Sequence, residues 1–184
     1  MKSQKKKQID KQNLFYDFID SSIGVVAFAW SSKGLKAVQL PEKTSRATIQ
    51  KLLNRFPEAT LTQKSNDPLA KDLRKKVQNL LAGKPESFSS IPLDIYSSPF
   101  HKKVYEVLKK VKPGQVLTYK ELATQAGSPL ASRAVGQAMA RNPVPLVIPC
   151  HRVMGSQGSL TGFTAADGVK LKSTLLRLEK AQIV

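Results

Sequence analysis

Proline and glycine cut the second half of this chain into segments too short for any long helix. The breaks fall at Ser98-Pro99, Lys112-Pro113-Gly114, Gly127-Ser128-Pro129 and Asn142-Pro143. Proline opens a helix readily but is not tolerated inside one, and glycine ends one. Each interval must therefore fold as a short helix or a turn. The first carries Phe100, Val104, Val107, Leu108 and Val111 at helical spacing. Thr118-Tyr119-Lys120-Glu121 has the pattern of a capping box and opens a helix to Ala126. Ser128-Pro129 starts another helix, through about Arg141. Two short helices joined by a tight, glycine-containing turn make a helix-turn-helix candidate.

The first half has a different pattern. Residues 1–12 read as a solvated basic arm. Ile23 to Trp30 and Leu35 to Leu40 are strand-like, with a hairpin signal, Ser31-Ser32-Lys33-Gly34, between them. An amphipathic helix is expected over 43–55, with Ile49, Leu52, Leu53 and Phe56 inward. A second begins at Asp67-Pro68, carries Leu69, Leu73, Val77, Leu80 and Leu81, and ends at Ala82-Gly83. From there to Ser98 the chain reads as strand or linker. A last helix begins at Asp167 or Gly168, with Leu171, Leu175, Leu176 and Leu178 on its apolar side. The expectation is an α/β (α+β) protein: an N-terminal α/β domain over residues 1–88, including the arm, and a helical C-terminal domain over 95–184.

At 184 residues and 41% hydrophobic, the chain can bury a substantial core. Its net charge of +17 attracts polyanions, of which nucleic acid is the leading class. No apolar run reaches the roughly 20 residues that span a bilayer. The Lys-rich start is not followed by an apolar signal segment. No membrane association and a cytoplasmic location are expected. A single cysteine rules out an internal disulfide and argues against a cysteine-based zinc site; no metal and no cofactor are expected.

That cysteine is Cys150, in the run Val147-Ile148-Pro149-Cys150-His151-Arg152-Val153, approached by an apolar, partly strand-like stretch from Val144 to Ile148. Imidazole and guanidinium can both carry positive charge, which favours the reactive thiolate. On an extended segment, however, adjacent side chains point to opposite faces, so a Cys-His pair needs a turn at Pro149. A buried structural thiol is the plainer alternative. The helix before it has an unusual surface: Ala131, Ser132, Ala134, Gly136, Ala138 and Ala140 are small, while Arg133 is long and charged. Small residues permit close approach, either to a narrow groove of DNA or to another helix. Val135 and Met139, four apart, face the core.

The continuous stretch from Arg133 through Asn142-Pro143-Val144-Pro145 to Pro149-Cys150-His151-Arg152-Val153 strongly resembles the O6-alkylguanine-DNA alkyltransferases. The Phe100, Val104, Leu108, Pro113-Gly114, Thr118-Tyr119 and Leu122-Ala123 pattern fits the same family, as does Leu175-Leu176-Arg177-Leu178-Glu179. The resemblance implies a ribonuclease-H-like N-terminal domain with a small antiparallel sheet and a winged-helix-like DNA-binding domain. It implies one irreversible transfer of an alkyl group from O6-alkylguanine in double-stranded DNA to Cys150, by a monomer without a cofactor. His151 would act through a water as the base, Glu179 would orient it, and Asn142 would brace the turn before the cysteine loop. Tyr119, Met139, Val153, Phe163 and Thr164 would meet the substrate. Arg133 would enter the base stack through the minor groove, with Ser132, Ala134, Gly136, Arg141 and Arg152 at the DNA face. Phe163 stands where the family usually has tyrosine, and Ala165-Ala166-Asp167-Gly168 replaces its paired glycines.

Two other readings of the residues stay open at this point. A cysteine hydrolase built on Cys150 and His151 would turn over without DNA. A helix-turn-helix regulator with an incidental thiol would need long base-reading side chains, of which the small-residue helix has few.

Overall fold

The computed structural model describes residues 13–160, 162–163 and 165–181, the side chain of Gln157 excepted. The basic arm and Thr164 lie outside the described residues.

The chain opens with β1 (Asn13–Ile19), β2 (Val26–Ser31) and β3 (Gly34–Gln39), then α1 (Ser45–Leu53), β4 (Thr60–Gln63) and α2 (Pro68–Leu81). The strands form one sheet in the order β3-β2-β1-β4. β1–β2 and β2–β3 pair antiparallel, but β1 and β4 pair in parallel. The small sheet is therefore mixed. The crossover through α1 accounts for this: a helix between two strands lets the chain return in the same direction.

Successive residues of β2 serve opposite faces, as the strand period requires. Phe28 and Trp30 join the main core, while Ala27 and Ala29 pack with Ala37 and Leu52 beneath α1. The hairpin turn works because Gly34 has φ +144°, and a Cβ there would lie 2.6 Å from the carbonyl oxygen of Pro92. That contact belongs to a second element of the site's frame. Leu35 N–H donates to Pro92 O at 2.8 Å and Asp94 N–H to Leu35 O at 2.9 Å, so the segment after α2 lies along β3 instead of hanging free.

The second half comprises α3 (Pro99–Leu108), β5 (Leu117–Thr118), α4 (Tyr119–Gln125), α5 (Ser132–Ala140), β6 (Val153–Met154) and α6 (Gly168–Leu178). Local signals account for the boundaries. Ser98 caps α3 by accepting from His101 N–H, and both halves of the Thr118/Glu121 capping box form. Such a cap contributes about 1 kcal/mol. After α4, Gly127 at φ +78° completes a two-bond C-terminal motif, with Gly127 N–H to Thr124 O and Ser128 N–H to Ala123 O.

Two local expectations are corrected, and one strand the sequence did not announce is added. The helix expected from Ser128-Pro129 starts only at Ser132. Ser128 to Ala131 instead close a β-turn, Ala131 N–H to Ser128 O at 2.9 Å, with proline at its favoured second position. The strand-like run Val144–Ile148 is a tight loop in which Ile148 N–H returns to Val144 O and Leu146 takes φ +73°. β1 gave no clear strand signal because Asp17 interrupts its apolar pattern. Asp17 is buried there, bonded to Arg74 and Ser65, partners remote in sequence.

One continuous cluster of buried side chains runs from Val26 and Phe28 through Leu73 and Ile91 to Val104, Val135, Ile148 and Leu175. The two halves share this core, and Cys150 belongs to it.

Candidate active site

The cysteine loop is held from two sides. Asn142, just past α5, donates from Nδ2 to Ile148 O at 2.7 Å and accepts at Oδ1 from Val144 N–H at 3.1 Å. One side-chain amide thus closes both ends of the loop that delivers Pro149. The chain then makes a single 3-10 turn, Cys150–Arg152, so the required turn at Pro149 is present. On the opposite side stands α6. Its Lys172 and Glu179 are seven residues apart, two turns along one face, and both are buried. Lys172 Nζ donates to Val153 O.

Glu179 is the hub. Oε1 meets His151 Nε2 at 3.0 Å and accepts from Arg152 Nη2 at 2.6 Å, while Oε2 accepts from Arg152 Nε at 2.9 Å. Arg152 also donates from Nη1 to Val111 O. Burial pushes the Glu179 carboxyl up, but hydrogen bonds and charge from His151 and Arg152 outweigh it and bring it down to about 2. Burial lowers His151 despite the opposing pull of Glu179. At neutral pH the pair is therefore a carboxylate facing a neutral imidazole. The carboxylate can only accept, so the imidazole proton sits on Nε2. Nδ1 is left as a bare acceptor, buried and without a hydrogen-bond partner among the described residues.

Cys150 is 8% exposed. Burial raises its thiol pKa, while the Asn142 side chain, the Lys172 charge and the backbone N–H groups of Cys150 and His151 all pull it down. The site thus opposes desolvation with one cation and three hydrogen bonds. Tyr105 lies close by; burial first and then the neighbouring Cys150 raise its hydroxyl to about 12, and it donates to Ala138 O at 2.8 Å.

A cavity of about 300 Å³ opens at the sulfur, lined by Met139, Phe163 and Pro145 among others. Tyr119 sits at the start of α4, where a Cβ on Gly162 would come within 2.9 Å of its hydroxyl, so the Gly162 segment closes over it. Val153 is fully buried. Along α5, Arg133 and Arg141 are exposed, and Ser132, Ala134 and Gly136 are half-buried. Val135 and Met139 do face the core. A Cβ added to Gly136 would meet nothing within 4 Å.

The structure brings Cys150, His151, Glu179 and Asn142 together. It corrects Arg152, which was expected at the DNA face: it is 4% exposed and spent on Glu179 and Val111. A guanidinium in that position neutralises a buried carboxylate and cannot reach a phosphate. His101, on α3, is half-buried with its ring near Phe100 and Tyr105. Lys172 was missed. Its sequence signal is a lysine on the helix face of Leu171, Leu175 and Leu176, seven residues before Glu179.

No helix among the described residues is long and apolar enough to cross a membrane. Among those residues no group of three or more His, Cys, Asp or Glu side chains could hold a metal ion.

Comparison with known proteins agrees with this geometry. Residues 14–95 match the family described as 6-O-methylguanine DNA methyltransferase, ribonuclease-like domain. Residues 99–181 match 6-O-methylguanine DNA methyltransferase, DNA binding domain. A methylated-DNA--protein-cysteine methyltransferase of Methanosarcina barkeri is 36% identical over 91% of this chain and 98% of its own length. Among solved structures, the Mycobacterium tuberculosis OGT in complex with DNA superposes with a TM-score of 0.72 at 33% identity, covering 90% of this chain and 92% of that one. The O6-methylguanine-DNA methyltransferase of Pyrococcus kodakaraensis gives 0.65 at 30% identity, over 90% and 98%.

Proposed function

The chain belongs to the 6-O-methylguanine DNA methyltransferase family, and on that premise we propose that Cys150 accepts the alkyl group of O6-alkylguanine in a single irreversible transfer. The reaction is direct-reversal repair of alkylated DNA by a methylated-DNA--protein-cysteine methyltransferase.

The observation that carries the residue assignment is the state of His151. With its proton committed to Glu179 on Nε2, the imidazole offers only Nδ1 as a base, and that atom is buried with no hydrogen-bond partner among the described residues. A water between Nδ1 and the thiol would pass the proton across, which is the nucleophile–base–orienter logic of hydrolase triads. Sulfur then forms its bond to the alkyl carbon as the carbon–O6 bond breaks. The electron pair leaves on guanine, which takes a proton from the side where Tyr119 stands. Lys172 and Asn142 stabilise the thiolate before attack. Met139 and Phe163 border the space for the substrate, and the Val153 carbonyl serves its exocyclic amine; the place facing O6 that the family resemblance gives to the Thr164 amide lies outside the described residues.

The alkyl carbon is buried in stacked duplex DNA, so the nucleotide must be extruded at a cost of a few kcal/mol. Arg133 fills the vacated place in the stack. Ser132, Ala134 and Gly136 let α5 seat in the minor groove, whose degenerate code suits a protein that should ignore sequence; the open space at Gly136 supports this reading. Arg141 contacts the backbone. In this reading the working unit is a monomer, with domains meeting near residues 88–95, acting in the cytoplasm without a cofactor.

Intact mass tests the proposal. Incubation with duplex DNA containing O6-methylguanine should add one methyl in place of hydrogen, located on Cys150 and absent in Cys150→Ala. An unchanged mass with the lesion intact overturns it.

A further inference from the structure

The cavity at Cys150 is walled by both halves of the chain. Met139, Cys150 and Phe163 line it from the second half, and Lys51 and Arg55, from α1 and the turn after it, line it from the first. Neither Tyr119 nor Val153 lines it. With the guanine ring placed toward those two residues, this space beside Cys150 is left for the alkyl substituent.

Its charge is one-sided. Lys51, Arg55 and Arg141 line it, and no carboxylate does among the described residues. Lys51 is already neutralised by Glu42 at 2.6 Å. Arg55 is not. Its guanidinium donates from Nη1 to Val38 O and from Nη2 to Pro143 O, both at 3.2 Å, and it has no ion-pair partner among the described residues. Burial lowers its pKa, yet guanidinium remains charged in proteins. The group is thus a partly desolvated cation, held in orientation by two backbone carbonyls, with N–H donors to spare. A fixed fork of this kind matches a carboxylate.

We propose that Arg55 forms an anion subsite at the alkyl end of the cavity, and that the protein favours O6 substituents ending in a carboxylate over uncharged ones of the same size. The inference rests on Cys150 as the alkyl acceptor. The carboxylate takes no part in bond making. Sulfur bonds to the carbon attached to O6, guanine departs and takes up a proton as in methyl transfer, and the acid ends on the cysteine thioether beside Arg55.

The test is single-turnover transfer from duplex DNA carrying O6-carboxymethylguanine or its one-carbon-longer homologue, each beside its amide. The acid-to-amide rate ratio cancels any general effect of a substitution on folding, DNA affinity or the thiol. In Arg55→Gln that ratio should fall about tenfold from the wild-type value, the worth of one charge-assisted contact. A ratio unmoved by Arg55→Gln, including equal loss on acid and amide, overturns the subsite. Should Arg55→Gln not fold, Arg55→Lys is read the same way: charge without the fork should leave the ratio below wild type, and an unchanged ratio counts against the subsite. Absence of methyl transfer to Cys150 in the wild type would bring down the repair reading instead, and the methyl substrate in the same series reads that out separately.

Discussion

Lys172 and Glu179 lie two turns apart on one buried face of α6 and hold the three residues that follow Cys150. Lys172 takes the carbonyl of Val153, and Glu179 takes the imidazole of His151 and both sides of Arg152. The last helix of the chain thereby sets the geometry and charge around a nucleophile that precedes it by more than a dozen residues.

Replacing Glu179 by Gln removes the charge that neutralises Arg152 and fixes the His151 tautomer. Removing one partner of a buried ion pair costs about 3 to 5 kcal/mol. Loss of an oriented base slows the chemical step by about a hundredfold or more. Urea unfolding and single-turnover methyl transfer should show both, and an Arg152→Met/Glu179→Gln double variant should recover part of the stability but not the rate.

Acid should destabilise the protein in two stages. His151 is lowered in the fold, so below its ordinary value of about 6.5 the unfolded chain binds a proton that the folded chain refuses. Glu179 is held down at about 2. Its contribution is complete above the unfolded carboxyl value of about 4.3 and is lost as pH falls from there toward 2, on the order of 3 kcal/mol. Both groups act with the same sign. Thermal unfolding should show Tm declining below about pH 6.5 and more steeply below about 4.5, with the second fall missing in Glu179→Gln.

Asn142→Ala removes a hydrogen bond that favours the Cys150 thiolate. It also releases Ile148 O and Val144 N–H. The pH profile of Cys150 alkylation by a small electrophile should move to higher pH, with the secondary structure retained. A profile that stays in place would remove Asn142 from the nucleophile's environment.

Gly136→Ala separates stability from function. The added methyl meets nothing within 4 Å and the glycine sits inside a helix, so the variant should be more stable by about 0.5 to 1 kcal/mol. Affinity for duplex DNA should nevertheless fall, because the methyl occupies the surface proposed to seat in the groove. Arg133→Ala, exposed on the same helix, should slow transfer from duplex DNA far more than from free O6-benzylguanine. Equal losses on the two substrates would rule out its role in extrusion.

Local chemistry made the helix limits of the second half readable. Ser98, the Thr118/Glu121 box and Gly127 act within a few residues, and the structure places them as read. Where a local signal had two outcomes, packing chose. Ser128-Pro129 could open a helix or a turn and made the turn. Asp17 hid a strand because its partner Arg74 comes 57 residues later.

The same division runs through the site. Sequence alone determined that a single thiol would stand beside a histidine after a proline, behind a helix of small residues bearing one long arginine. Its resemblance to a family singled out Asn142 and Glu179. Only the tertiary structure decided that Arg152 turns inward to Glu179, that buried Lys172 reaches Val153, and that Arg55 brings to the cavity wall a cation with no ion-pair partner among the described residues. Caps and turns are settled by neighbouring backbone groups. The charge around a buried thiol is settled by side chains 22 to 95 residues away, in a low-dielectric interior where each one counts, and no local periodicity encodes such meetings.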